Sequence, residues 1–217
     1  MSSTHDSTAT HALEVRGLEI WRGERRLCRD LSFTLSAGEL VHIRGANGSG
    51  KTSLLRAMAG LLIPDNGEIT WNGKKIKATD PALRSQICYL GHANGIKAGL
   101  SPRENLSFAI DIAGGASGYT PQTAIERLNI APQADLLCRF LSAGQKRRTA
   151  LARVLCSPAK LWLLDEPFTS LDAEGIGLVA MTIGEHLRNG GMIALSSHQE
   201  IPSTSARLIN VQLGEPL

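Results

Sequence analysis

One octapeptide constrains the fold of this chain more than any other segment: Gly45-Ala46-Asn47-Gly48-Ser49-Gly50-Lys51-Thr52. It follows an apolar run that ends at Ile43 and precedes apolar residues at helical spacing. The pattern G-x-x-x-x-G-K-T between a strand and a helix is typical of a loop that binds phosphate through converging backbone N–H groups. The sequence therefore predicts an α/β fold with a nucleoside triphosphate site, and a glycine-rich turn without a ligand is the alternative.

Two adjacent acids, Asp165 and Glu166, follow the apolar run Leu161–Leu164. Because α/β sheets bind ligands at the carboxyl ends of their strands, we expect these acids beside the phosphate loop. Thr52 and Asp165 are predicted to hold Mg²⁺, and Lys51 to reach the β- and γ-phosphates. Neighbouring residues of an extended chain point in different directions, which leaves Glu166 to orient the water that attacks the γ-phosphate. The alternative is a strand that ends in two solvated acids.

The remaining segments predict how the chain is organised around this loop. Short apolar runs alternate with turns between Leu13 and Ile43, which indicates strands, and the spacing of apolar residues predicts a helix over Lys51–Leu62. A helix start at Ser101-Pro102-Arg103-Glu104 opens a mainly helical stretch. We predict a single domain over residues 12–217, with a helical subdomain at about 100–140, after a flexible polar tail at 1–11.

Charge and composition exclude several classes of protein. A formal net charge of +3 is small and dispersed, so we expect no nucleic-acid partner. The four cysteines are widely spaced without a C-x-x-C pair, which favours reduced thiols over a zinc site. No run approaches the roughly 18 consecutive apolar residues of a membrane helix, so association with a membrane is expected to need a partner.

The pentapeptide Leu141-Ser142-Ala143-Gly144-Gln145 resembles the signature of the ABC transporter ATPase family, usually L-S-G-G-Q, with Ala143 in place of the first glycine. Ser142 and Gln145 also suit a capping box, so a well-started helix is the alternative. The following cations, Lys146, Arg147 and Arg148, favour a nearby anion, because positive charge is unfavourable at a helix N-terminus. The resemblance implies that this anion is the γ-phosphate held by a second copy in a head-to-tail dimer.

Other motifs occur in the order of the same family. Asp172 lies in a segment that resembles the dimer-contact loop, and His198 ends a strand where the family has a histidine that contacts the γ-phosphate. Trp21 stands where the family has an aromatic that stacks on adenine, and a core residue is the alternative. For His198 the alternative is a plain surface residue. The resemblance implies a RecA-like P-loop core with an antiparallel β subdomain and an inserted helical subdomain, ATP and Mg²⁺ as ligands, and catalytic roles for Lys51, Glu166 and His198.

The segment before the helical region indicates which group within the ABC ATPase family the chain resembles. It reads Tyr89-Leu90-Gly91-His92, where the family usually has a glutamine in place of His92. Together with Gly95-Ile96-Lys97, Glu104-Asn105-Leu106 and Ser197-His198-Gln199, it is similar to the ATP-binding subunits of bacterial cytochrome c maturation haem exporters. A neutral imidazole can replace the glutamine oxygen near Mg²⁺, so we expect no direct haem binding.

This narrower resemblance implies a location and a set of partners. The chain is expected to be a peripheral ATPase on the cytoplasmic face of the inner membrane, bound to integral membrane subunits, whose hydrolysis releases a haem-loaded chaperone. Another small ABC exporter or importer and a soluble ABC ATPase of a non-membrane machine stay open. A nucleotide-gated interaction module is disfavoured, because both Glu166 and His198 are present.

Overall fold

A computed structural model describes residues 12–77, 80, 83, 85–113, 115, 119–201 and 206–214. The predicted tail, residues 1–11, lies outside this part of the chain. The strands are β1 Ala12–Arg22, β2 Arg25–Ser36, β3 Glu39–Arg44, β4 Asn66–Trp71, β5 Lys74–Lys75, β6 Ile87–Leu90, β7 Leu161–Asp165, β8 Met192–Ser196 and β9 Arg207–Gln212. The helices are α1 Lys51–Met58, α2 Pro102–Ala113, α3 Pro121–Arg127, α4 Ala143–Leu155 and α5 Ala173–Arg188.

The strands form two sheets of different type. The first sheet is antiparallel with the order β2-β1-β4-β5, and the second is parallel with the order β6-β7-β8-β3-β9. In the parallel sheet Ser196 of β8 is opposite both Ile43 of β3 and Asp165 of β7. The carboxyl ends of these three strands therefore lie side by side at one edge.

The parallel sheet is buried on both faces, as its continuous apolar runs predict. Along β7, Leu161 and Leu163 pack in the core shared with α1 and the antiparallel sheet, whereas Trp162 and Leu164 pack in the core shared with α4 and α5. This alternation follows from the two-residue period of a strand. A strand covered on both sides has no polar face, which explains the run Leu161–Leu164.

Helices α2, α3 and α4 lie between β6 and β7 in the chain, and α2 and α3 fall within the predicted helical stretch of about 100–140. The start of α2 carries the predicted capping box: the Ser101 N–H donates to Glu104 Oε2 at 2.7 Å, and the Glu104 N–H donates to Ser101 Oγ at 3.3 Å. The predicted α/β architecture is confirmed, while the subdomain limits of about 100–140 stay a prediction. Of the helices that the structure describes, none is both long and apolar enough to cross a bilayer.

Helix α1 is shorter than its apolar spacing predicts, and the expectation of a helix up to Leu62 is wrong. It ends at Met58 because two hydrogen bonds close its last turn. The Leu61 N–H donates to Arg56 O at 2.8 Å and the Gly60 N–H donates to Ala57 O at 2.9 Å. This pair is the Schellman motif, which satisfies the last carbonyls of a helix and turns the chain away.

The end of α5 is attached to the parallel sheet by an aromatic stack. The His186 ring lies 3.7 Å from the Trp162 ring, with an angle of 9° between the planes, and its Nε2 bonds to Lys160 O at 3.1 Å. Burial lowers the pKa of His186 to about 4. An unfolded histidine titrates near about 6.5, so the unfolded chain binds the additional proton between these two values.

We expect acid to destabilise the fold through His186. The contribution of its neutral ring is complete above about pH 6.5 and is lost as the pH falls towards about 4, which amounts to about 2 kcal/mol by pH 4.5. Urea unfolding of the parent and His186→Phe between pH 7.5 and 4.5 tests this, because phenylalanine keeps the stack but does not titrate. Equal pH dependence in both proteins would contradict the prediction.

Candidate functional site

A cavity of about 330 Å³ lies at the edge where β3, β8 and β7 end. The cavity opens over the loop between β3 and α1. Its position follows from the strand order of the parallel sheet, which brings the ends of β3, β8 and β7 together. Most of the residues predicted to bind or hydrolyse a nucleotide line it: Asn47, Gly48, Ser49, Gly50, Lys51, Thr52, His92, Asp165, Glu166 and His198.

The ammonium group of Lys51 lies at the centre of the loop. Its Nζ donates to Gly45 O at 2.8 Å, to Ala46 O at 3.2 Å and to His198 Nε2 at 3.2 Å. Because an ammonium group only donates, His198 Nε2 is the acceptor in this contact. The structure therefore brings Lys51 and His198 together, although they are 147 residues apart in the chain.

A chain of three side chains crosses the ends of the strands. Thr52 Oγ1 donates to Asp165 Oδ2 at 2.7 Å, and Ser196 Oγ donates to Asp165 Oδ1 at 2.7 Å. Asp165 is 2% exposed, and each of its two carboxyl oxygens accepts a hydrogen bond from one of these hydroxyls. A hydroxyl and a carboxylate beside a phosphate loop are oxygen donors of the kind that Mg²⁺ binds.

Glu166 has an unusual backbone and a buried, unpartnered oxygen. Its φ is 49°, in the left-handed region, and its N–H donates to Ser196 Oγ at 3.0 Å. Among the described residues none hydrogen-bonds to its buried Oε1, which lies 3.5 Å from His198 Nε2. A buried oxygen with no donor calls for a ligand or a water molecule.

The phosphate loop shows the same kind of unsatisfied group. Ser49 is 2% exposed, and its Oγ has no hydrogen-bond partner in the part of the chain that the structure describes. Gly50 is the N-cap of helix α1, which therefore has no side-chain cap, and its first turn contains no acid. Its first N–H groups therefore remain for an anion, since a helix N-terminus carries partial positive charge.

The signature segment lies outside this cavity. Ser142 and Ala143 are exposed at the start of α4, where the Gln145 N–H donates to Ser142 Oγ and the Ser142 N–H donates to Gln145 Oε1, so the capping box is confirmed. Among the described residues that line the cavity, none belongs to this segment. Gly144 lies so close to Ser170 that a Cβ would be 2.8 Å from Ser170 O. The binding role of Ser142, Ala143, Gly144 and Gln145 across a dimer stays a prediction.

The charge argument for an external anion at α4 is wrong for two of its three cations. Arg148 Nη2 donates to Asp172 Oδ1 at 2.6 Å. Arg147 is 3% exposed and donates to oxygens of the segments around Gly91 and Asp165. Both guanidinium groups are paired inside the chain by partners distant in sequence, which a local pattern of charges does not reveal.

Asp172 caps α5. Its Oδ1 accepts from the Gly175 N–H at 2.9 Å as well as from Arg148. The Gly175 N–H, together with the Arg148 guanidinium, holds the pKa of the Asp172 carboxyl below its usual range. Asp172 thus joins the start of α5 to α4, and its contact with a second copy stays a prediction.

Trp21 does not line the cavity, whereas its neighbour Arg22 does. The Trp21 ring is 42% exposed, and the Arg26 guanidinium lies 5.5 Å from its centre. The alternative of a buried core residue is therefore wrong, and adenine stacking by Trp21 stays a prediction. Arg22, which lines the cavity, and Ser196, which bonds to Asp165, were not predicted from the sequence. The polar run Ser196–His198 after an apolar strand was the signal for Ser196.

Comparison with known proteins identifies the class to which this site belongs. The sequence profile of the family described as "ABC transporter" matches residues 28–169. A structure described as a putative ABC transporter ATP-binding protein from Pyrococcus furiosus superimposes with a TM-score of 0.79 at 27% identity, covering 93% of this chain and 97% of the other. The chain belongs to the ABC transporter family, and its fold is the one predicted from the signature and the phosphate loop.

Two individual relatives show which kind of ABC protein this chain is similar to. The chain is 45% identical over 203 residues to the "Cytochrome c biogenesis ATP-binding export protein CcmA" of Dechloromonas aromatica, covering 93% of this chain and all of the relative. It is 47% identical over 188 residues to the protein of the same name from Methylococcus capsulatus, covering 86% and 91% of the two chains. The narrower sequence resemblance is thereby confirmed.

We expect Gly50→Ala to destabilise the chain more than Gly73→Ala. Gly50 has a φ of 106° and a Cβ there would lie 2.7 Å from Leu27 Cβ, whereas Gly73 has a φ of 74° with nothing within 4 Å. The control measures the backbone cost alone, about 1 to 2 kcal/mol, and the steric overlap adds to it in Gly50→Ala. Urea unfolding of both variants makes the comparison, and equal losses would show that the loop relaxes freely around a Cβ.

Proposed function

We propose that this chain is the ATP-binding and ATP-hydrolysing subunit of an ABC exporter for cytochrome c biogenesis. The observation that supports hydrolysis is the meeting of Lys51, His198 and Glu166 over the phosphate loop. The unpartnered buried oxygens of Ser49 and Glu166 fit a site built to receive phosphate and water. The cytochrome c system is supported by the two relatives, which are named as cytochrome c biogenesis export proteins.

Several residues that line the cavity have separate roles in the proposed phosphoryl transfer. The ammonium group of Lys51 and the first N–H groups of α1 neutralise and orient the phosphates. Thr52 and Asp165 would hold Mg²⁺, which would supply neutralisation of the phosphate charge. Glu166 orients the attacking water through its free carboxylate oxygen, and His198 contacts the γ-phosphate. His92 lines the same cavity, where its ring nitrogen would take the place of the glutamine oxygen that the family usually has at the Mg²⁺ site.

The partners that complete this proposal are of two kinds. A second copy of the chain supplies the exposed start of α4, with Ser142 and Gly144, to the phosphate held by the first copy. Integral membrane subunits hold the pair at the cytoplasmic face of the inner membrane. Their movement, driven by hydrolysis, releases the haem-loaded chaperone on the other side.

Turnover of the membrane complex tests the catalytic assignment. We expect Glu166→Gln to lose about 100-fold or more in kcat while still retaining ATP, because the amide keeps the shape but orients water poorly. Lys51→Ala is expected to lose ATP binding and turnover together. The measurement is steady-state ATPase activity and nucleotide retention of the complex purified through this subunit. A Glu166→Gln complex as active as the parent would contradict the role of Glu166.

Cells that carry the Glu166→Gln variant test whether the exporter serves cytochrome c biogenesis. If the exporter serves cytochrome c biogenesis, cells carrying this variant lack haem-stained c-type cytochromes, and membrane subunits purify with the chain. Normal c-type cytochromes in cells whose complex is inactive would contradict the cytochrome c role. That outcome would point to a different cargo or, without membrane subunits, to a soluble machine.

The hydroxyl of Thr52 is expected to set the requirement for Mg²⁺. In Thr52→Val the isosteric side chain cannot ligate the metal, so the Mg²⁺ concentration for half-maximal ATPase activity rises about tenfold or more. Thr52→Ser keeps a hydroxyl at the same place and serves as the control, with a requirement close to that of the parent. An unchanged Mg²⁺ dependence in Thr52→Val would remove Thr52 from the metal site.

A further inference from the structure

Arg147 is a buried cation that the proposed mechanism does not use. It lies in the second turn of α4 and is 3% exposed. Burial lowers the pKa of its guanidinium, because the charged form loses its hydration. A charge kept in such a place, near the N-terminus of a helix, is stable only if polar partners surround it.

The partners of Arg147 match its hydrogen-bonding capacity. A guanidinium carries five N–H donors in a planar fork, and five oxygens accept from it. Nη2 donates to Asp165 O at 2.6 Å and to Glu166 O at 2.7 Å, and Nε donates to Pro167 O at 3.4 Å. Nη1 donates to Gly91 O at 3.2 Å and to Asn94 Oδ1 at 3.1 Å.

These oxygens belong to two segments that both line the cavity. Asp165 ends β7 and Glu166 follows it, and both line the cavity; His92, which also lines it, lies between the two partners Gly91 and Asn94. A single guanidinium thus joins the segment with the proposed metal ligand and water-orienting acid to the segment with His92.

The bond to Glu166 O bears on a strained peptide. A residue other than glycine at φ 49° costs roughly 1 to 2 kcal/mol, and such a conformation persists only where its surroundings fix it. Here Ser196 Oγ fixes the N–H of Glu166 and Arg147 fixes its carbonyl. The direction of the Glu166 side chain depends on this backbone, so a looser carbonyl means a displaced carboxylate.

We propose that Arg147 is a positioning residue for ATP hydrolysis, which holds the Glu166 backbone in its left-handed conformation and ties it to the segment around His92. The inference rests on the proposed catalytic role of Glu166. Arg147 itself does not line the cavity. Its loss therefore affects the orientation of the attacking water and leaves the phosphate loop, and with it nucleotide binding, intact.

The test is Arg147→Lys in the purified membrane complex. Lysine keeps the positive charge but has one nitrogen with three donors, which cannot span five acceptors. We expect kcat to fall about 10- to 100-fold, with KM for ATP and ATP retention in the absence of turnover within about twofold of the parent. The same split is expected for Arg147→Met, which avoids a buried, poorly paired charge and serves if the lysine variant does not assemble.

Arg153→Lys is the matched control. Arg153 lies on the same helix and donates to Gly95 O in the segment that follows His92, which is on the opposite side of the Arg147 contacts in the chain from Asp165 and Glu166. We expect its kcat to stay within about twofold of the parent, because the substitution changes a similar contact without touching the Glu166 peptide.

Each other outcome overturns the inference. A parent-like kcat in Arg147→Lys and Arg147→Met does so, and so does an equal loss of ATP retention and turnover, which indicates a general structural role. The kcat of the double variant Arg147→Lys/Glu166→Gln should equal that of Glu166→Gln, because Arg147 is proposed to act through Glu166. A further loss in kcat equal to that of Arg147→Lys alone shows that the two residues act independently, and this overturns the inference. If Glu166→Gln alone has a parent-like kcat, the proposed catalytic role of Glu166 fails, and the inference about Arg147 fails for that reason. The Glu166→Gln variant thus distinguishes this outcome from a failure of the Arg147 inference alone.

Discussion

The parallel pairing of β3, β8 and β7 is the constraint on which the site depends. Ser196 is opposite Ile43 on one side and Asp165 on the other, so the end of β8 bridges the phosphate loop and the two acids. A slip of one residue in either pairing would turn the Ser196 hydroxyl to the other face of the sheet. Both faces are packed with apolar side chains, which makes any such slip costly.

The site is held in shape by contacts that lie behind it. Ser196 and Arg147 fix the two sides of the Glu166 peptide, and both are buried away from solvent. The buried Oγ of Ser49 and the buried Oε1 of Glu166 lack partners among the described residues, and both residues line the cavity. Hydrogen bonds thus hold the backbone of Glu166, while one side-chain oxygen each of Glu166 and Ser49 stays unpaired where a ligand is proposed to bind.

Short-range patterns of the sequence predicted a large part of this arrangement. The glycines and Lys51 of the phosphate loop, and the capping boxes at Ser101 and Ser142, depend on residues within a few positions of one another, and the structure has the helix starts where these patterns place them. The buried parallel strands followed from continuous apolar runs such as Leu161–Leu164. The end of α1 was missed, because apolar spacing continues past Met58 although the hydrogen bonds of the turn do not.

By itself the sequence determined which chemical groups are present and where helices and strands begin, since these depend on local backbone preferences and on the period of apolar residues. Only the tertiary structure decided which groups meet. Lys51 contacts His198, which is 147 positions away in the chain. The charge of Arg147 predicted a bound anion, but its guanidinium donates to distant backbone carbonyls instead. Such contacts depend on strand order and packing, because hydrogen bonds between distant segments form only after the sheet has brought the segments together.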